Sequence, residues 1–194
     1  MTTMREMEQV RPLDGDELKG LVVLKEKFAR KPRHLDRYVW GMLRIGIGWI
    51  FLWGFLDKLF GFGFATARES AWINGGSPTF GFLNFGTTGP FAGFYQSMAT
   101  SETVEWMFML GLLFIGLPLM LGMGVRLAAA GGVAMEIMMY TAGFILSEHN
   151  PVVEEHMMYG IIFLGLMVVG GGQYLGLGGW WKQRRLVKRF PVLE

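Results

Sequence analysis

Two sets of ionisable residues stand at the ends or in the middle of apolar stretches, and they define the chemistry worth considering. The first set is Asp57 and Lys58, then Arg68, and further along His149, Glu154, Glu155 and His156. Carboxylate, imidazole and cation together suit proton transfer to an acceptor such as a quinone, or capture of an anion by Lys58 and Arg68. A plain interfacial network of ion pairs uses the same residue types, so both readings stay open. The second set is Glu136 alone. It follows Arg126 by ten residues, roughly 15 Å along a helix. At membrane depth such a carboxyl group cannot reach an interface and needs a partner within the protein.

Helical periodicity says which way these groups face. Gly124, Ala128, Gly132, Glu136 and Tyr140 recur at i, i+4, a stripe of small residues that lets helices approach closely. Glu136 is therefore expected to face protein, either as a structural hydrogen bond or as a proton-handling group. Asp57 shares a face with Gly46, Ile50 and Gly54, and His156 shares one with Tyr159, Gly160 and Phe163, so both are expected to point inward. Arg44 lies nearly two turns inside its apolar stretch and is expected to snorkel toward headgroups as an anchor. His149 and His156 are seven residues apart, with Pro151 between them and no third ligand in sight; neither metal nor haem is expected. The absence of Cys excludes disulfides, thiolate metal sites and iron-sulfur clusters, so redox work would have to borrow a quinone or another cofactor.

The elements that must position these residues are membrane helices. At 52% hydrophobic and 18% charged over 194 residues, the chain is too apolar for an ordinary soluble domain. Its net charge of +2 comes from basic residues flanking apolar runs, and nucleic acid is not an expected partner. Four stretches, 38–60, 104–123, 125–147 and 155–175, reach the roughly 20 residues that a bilayer core demands. The second and third join through a tight Gly-Met-Gly-Val-Arg turn ending at Arg126. Lys and Arg mark that turn, the 30–34 flank and the 182–185 tail, while the connection between the last two spans carries Glu148, His149, Glu154 and Glu155 but neither Lys nor Arg. Positive residues stay inside, which places both termini in the cytoplasm.

The expected fold class is thus an all-α integral membrane protein, a four-transmembrane-helix bundle with an N-terminal amphipathic helix and a long aromatic outer loop. Residues 1–37 form the cytoplasmic N-terminal segment, 38–181 the four-helix domain, and 182–194 a basic cytoplasmic tail. The first segment is too charged for a signal peptide, so the first span is expected to be retained. Asp16 is expected to cap a helix carrying Leu18, Leu21, Val22, Leu24 and Phe28 beside Lys19, Lys25 and Lys27, an interfacial pattern. Trp180 and Trp181 before the basic tail look like an aromatic belt with a polybasic anchor. The loop over 61–103 is too rich in Phe and Gly for a solvated linker. Its Trp72, Phe80, Phe82, Phe85, Phe91, Phe94 and Tyr95 alternate with Gly and Pro turn signals. Short helices folded over the outer mouth of the bundle are expected, as a greasy cap or as a lid on a pocket.

Four segments, in order along the spans, carry a family resemblance: Gly54-Phe55-Leu56-Asp57-Lys58-Leu59-Phe60; Ala71-Trp72-Ile73-Asn74-Gly75-Gly76-Ser77-Pro78-Thr79; Asn150-Pro151 through Glu155-His156; and Gly170-Gly171-Gly172-Gln173-Tyr174-Leu175-Gly176-Leu177. Over about 38–181 the chain resembles the DoxX/DoxD-like membrane proteins, prokaryotic four-helix proteins, which implies a place in a prokaryotic cell (inner) membrane. DoxD-type members include the large subunit of thiosulfate:quinone oxidoreductase. The resemblance therefore implies a quinone-linked oxidoreductase subunit with an outward anion site beside a quinone pocket. Asp57, Glu136, Glu155 and His156 are the candidate catalytic residues; Lys58, Arg68, Trp72 and His149 are the candidate substrate-binding residues. Quinone is the expected cofactor, and membrane lipid, membrane quinone and a protein partner are the expected associates. The family's enzyme works with a smaller second subunit, for which 194 residues leave no room. The rival reading is a non-catalytic accessory subunit of a larger membrane complex.

Overall fold

The computed structural model describes residues 14–19, 21, 34–143 and 153–194. The stretch 144–152, which holds His149 and the expected end of the third span, lies outside the described residues. So do Val22, Leu24, Lys25, Lys27 and Phe28 of the expected amphipathic helix. The described residues are all-helical apart from turns and one isolated bridge between Thr88 and Gly143.

The chain divides into Met1–Asp36 and Arg37–Glu194. In the first unit a helical turn covers 15–19. Its cap is Asp14, where Asp16 was expected. Asp14 Oδ1 accepts from the amides of Asp16 at 2.9 Å and Glu17 at 2.8 Å, and the Asp14 amide donates back to the Glu17 carboxylate at 3.1 Å. This reciprocal pair needs an acidic or hydroxyl residue three positions before a Glu, a spacing that Asp14 satisfies and Asp16 does not. Asp16 instead pairs with Lys19 in water.

From His34 onward the helices among the described residues are α1 His34–Phe60, α2 Ala92–Ser97, α3 Glu102–Leu121, α4 Val125–Ala142, α5 Glu155–Val169, α6 Gly178–Trp181 and α7 Arg185–Arg189. Two are long and apolar enough to cross a membrane: α1, over 26 residues from Leu35, and α3, over 20. Helices α1, α3, α4 and α5 share one core, with Ile47 and Phe51 meeting Met109, Leu112, Ile115, Leu119, Ala129, Phe163 and Leu166. Their outward faces are apolar too, since Met42, Trp49, Phe114, Leu164 and Val168 are exposed. Helices apolar all round suit contact with hydrocarbon.

Close approach comes from glycine. Gly116 on α3 abuts the backbone of Leu52, and Gly48 on α1 faces Leu119, so a Cβ on either would collide with the other helix. On α4, Gly132 leaves room for the Phe163 ring of α5, which a Cβ would meet at 2.6 Å. The small-residue stripe thus faces protein as its spacing requires. The α3–α4 turn needs positive φ twice, at Gly122 (76°) and Gly124 (66°), a region costly for any other residue.

The last long helix departs from expectation. Helix α5 stops at Val169, six residues before Leu175, because Gly170 adopts φ 60° and its amide returns to the Leu166 carbonyl at 2.8 Å. The chain then folds under the α3–α4 turn. Gly172 and Gly178 press so closely on the Gly122 and Gly172 carbonyls that neither position has space for a side chain. The tail is also folded and not a free basic extension. Val187 is buried, the Trp181 indole donates to the Leu193 carbonyl at 2.7 Å, Lys182 pairs with Glu194 at 2.7 Å, and the Arg126 amide donates to the Glu194 carbonyl at 3.2 Å.

Candidate functional site

Glu136 and His156 meet across the α4–α5 contact. The carboxylate Oε2 lies 2.7 Å from His156 Nδ1, and Gly160, one turn beyond His156, sets the backbone of α5 against Glu136 Cβ. Glu136 is 4% exposed. The His156 side chain keeps 23% of its surface, so it connects the buried carboxylate with the outside of the core. The arrangement can accept a proton at the imidazole and hold it at the carboxylate.

The one cluster expected from the sequence separates into two. Asp57 points inward as expected and is 2% exposed, but its oxygens accept the backbone amides of Ala65 at 3.0 Å and Phe64 at 3.4 Å. It ties the start of the outer loop to the end of α1. Arg68 is exposed, and its Cα packs against Gly61 just past Lys58. Both cations therefore sit at the α1 end, and neither forms an ion pair among the described residues. No hydrogen bond or ion pair among the described residues joins Asp57, Lys58 or Arg68 to Glu136 and His156. Glu155 is exposed at the start of α5, while Glu154 keeps a buried oxygen without a partner. His149 lies outside the described residues, and among those described no three His, Asp or Glu side chains gather as a metal site.

The segment after α1 forms short helical turns, at Arg68–Ser70, Trp72–Asn74 and Phe82–Gly86, followed by α2. Trp72 is partly buried and meets Trp106 of α3 edge to face, centroids 4.5 Å apart. The Thr88 amide donates to the Ala142 carbonyl at 3.0 Å, and the Tyr95 and Thr141 hydroxyls lie 2.7 Å apart. These contacts fix the loop to the start of α3 and the end of α4.

Arg44 departs furthest from its expected role. It does not snorkel; it is fully buried. Its guanidinium donates to the carbonyls of Leu119 and Met120 at the end of α3, and to those of Tyr174 and Leu175 at 3.1 and 3.0 Å. The last carbonyls of a helix have no partner of their own and carry its negative dipole, so a cation belongs there. Arg126 approaches the end of α5, its Nε 3.5 Å from where a Cβ on Gly170 would sit, but that nitrogen makes no hydrogen bond among the described residues. The glycines of 170–178 were the signal for this cage, because only a chain without side chains packs so close to a guanidinium.

Two grooves border the bundle. One, of about 390 Å³, lies between α1 and α5 and is lined by Gly46, Ile47, Ile50, Tyr159 and Ile162 among others. The other runs along the α3–α4 hairpin. No protein-family model, no curated protein and no solved structure matches the chain.

Proposed function

We propose that this chain is a four-span membrane protein serving as a quinone-linked oxidoreductase subunit, resembling the DoxD component of thiosulfate:quinone oxidoreductase. The observation that carries the reading is the buried Glu136 carboxylate bonded to a partly exposed His156, a proton-handling pair where an apolar core gives no other reason to keep charge. A bound quinone supplies two-electron, two-proton chemistry. The chain's share is to hold a proton at His156 and Glu136, exclude water with the loop anchored by Trp72, and line the groove beside Tyr159, one turn from His156. That groove has the apolar lining a prenyl tail requires. Lys58 and Arg68, which form no salt bridge among the described residues, are the cations that would meet an anionic donor.

The membrane topology is part of the proposal. Helix α5 is only 15 residues, about 22 Å, and its glycine-rich continuation completes the span. Irregular backbone is tolerated at depth where protein encloses it, and the Arg44 cage encloses this segment. Arg126 and the basic residues of 182–189 support a cytoplasmic placement of their end, and the resemblance to the DoxX/DoxD-like proteins supports a prokaryotic inner membrane.

A second reading, an accessory subunit of a larger membrane complex, draws on Asp57. Its carboxylate is used by loop amides and is not free for chemistry. The two readings part in one experiment: purify the protein with its native lipids, identify bound quinone, and assay thiosulfate-dependent quinone reduction with and without co-purifying partners. Bound quinone with turnover is expected; absence of both would overturn the enzyme reading in favour of the accessory one.

A further inference from the structure

The α3–α4 hairpin carries a groove of about 740 Å³. Gly111, Gly131, Ala134, Phe114, Leu127 and Met138 are among its lining residues. From Gly111 to Leu121 it follows α3 over ten helical rises, roughly 15 Å. Its lining side chains are apolar save the Trp181 indole N–H, which is already given to the Leu193 carbonyl. Such a surface offers a polar ligand nothing and suits a hydrocarbon chain.

Trp181 and Leu193 also line the groove, and the segment between those two residues is strongly basic. Lys182 is engaged by Glu194. Arg184, Arg185, Lys188 and Arg189 are exposed, and none forms an ion pair among the described residues. The segment is held in place by buried Val187, and the Arg184 guanidinium is laid on the Trp180 ring at 3.6 Å. Hydrocarbon lining whose residues Trp181 and Leu193 flank a basic segment is the complement of one class of molecule, an acyl chain bearing an anion.

We propose that this groove binds an acidic phospholipid, its acyl chain along the α3–α4 hairpin and its headgroup phosphate among Arg184, Arg185 and Lys188. A neutral prenyl tail or a partner helix would cover the groove and leave the cations unanswered. The inference rests on neither Glu136 nor His156 and stands apart from the quinone reading.

The test uses the full-length protein in detergent, offered equal amounts of phosphatidylglycerol and phosphatidylcholine, with bound lipid counted by native mass spectrometry. Phosphatidylglycerol is expected to be retained at least about tenfold better. The variant Arg184→Gln/Arg185→Gln/Lys188→Gln, which changes only exposed side chains, is expected to bring the two lipids to equality. Gly131→Leu, whose Cβ meets only Ile115 at 3.6 Å and which projects into the groove, is expected to lower retention of both. Equal retention by the unmodified protein, or an undiminished preference in the triple variant, overturns the proposal. So does a prenyl quinone or a protein segment found in the groove in place of phospholipid.

Discussion

His156 Nδ1 and Glu136 Oε2 lie 2.7 Å apart across the α4–α5 contact, so a residue at the second position of one helix is bonded to a carboxylate buried in the other. If the pair serves only packing, an amide should replace the acid with little effect. If it handles protons, the amide should fail. Glu136→Gln is expected to fold, because the amide oxygen still accepts from the ring, and to lose at least tenfold in quinone-linked turnover or to show a displaced pH profile. Turnover and pH dependence matching the parent would remove Glu136 from proton transfer.

Removing the partner altogether is a different perturbation. Glu136→Ala leaves the imidazole without its bond and opens space in a packed contact, and should cost about 2–4 kcal/mol. Thermal unfolding in detergent should show the midpoint falling well below that of Glu136→Gln.

Arg44 should be the least replaceable polar residue in the bundle. Arg44→Met leaves carbonyls from two chain segments without donors, each costing about 1–3 kcal/mol when buried. The variant is expected to be lost during size-exclusion chromatography. Arg44→Lys keeps the charge but not the planar fork, and should give an intermediate melting midpoint. Survival of the methionine variant at parental stability would contradict the cage.

Gly132 tests whether helix separation sets the Glu136–His156 bond. Gly132→Val pushes into the Phe163 ring and should destabilise by about 1–3 kcal/mol. Adding Phe163→Leu should recover part of the loss, a coupling that independent sites would not show.

Asp57 should matter to the loop more than to the bundle. Asp57→Ala frees the amides of Phe64 and Ala65, and limited proteolysis should then cut within 61–70 while the helices stay intact. Unaltered resistance in that interval would show that the aromatic contacts hold the loop without it.

Much of the architecture was legible in the residues. Long apolar runs located α1 and α3, the Gly122 to Arg126 segment announced the helical hairpin, and the i, i+4 stripe turned Glu136 inward. Its partner was not legible, because the register of α4 against α5 is set by Gly132, Gly160 and Phe163 meeting in space. Arg44 was misread for a related reason. Backbone carbonyls leave no mark on a sequence, and those it binds are 75 to 131 residues away. The end of α5 was missed because glycine is neutral on a hydropathy scale, while three in succession stop a helix.

The carbonyl cage also constrains how the protein is made. Arg44 leaves the ribosome long before Leu175, and at about 5–20 residues per second the delay is of order ten seconds. Throughout that interval the acceptor set of Arg44 is incomplete, because the carbonyls of Leu119 and Met120 are made well before those of Tyr174 and Leu175. The cage around the α1 arginine therefore closes only when the glycine-rich segment, some 130 residues further along the chain, has been made.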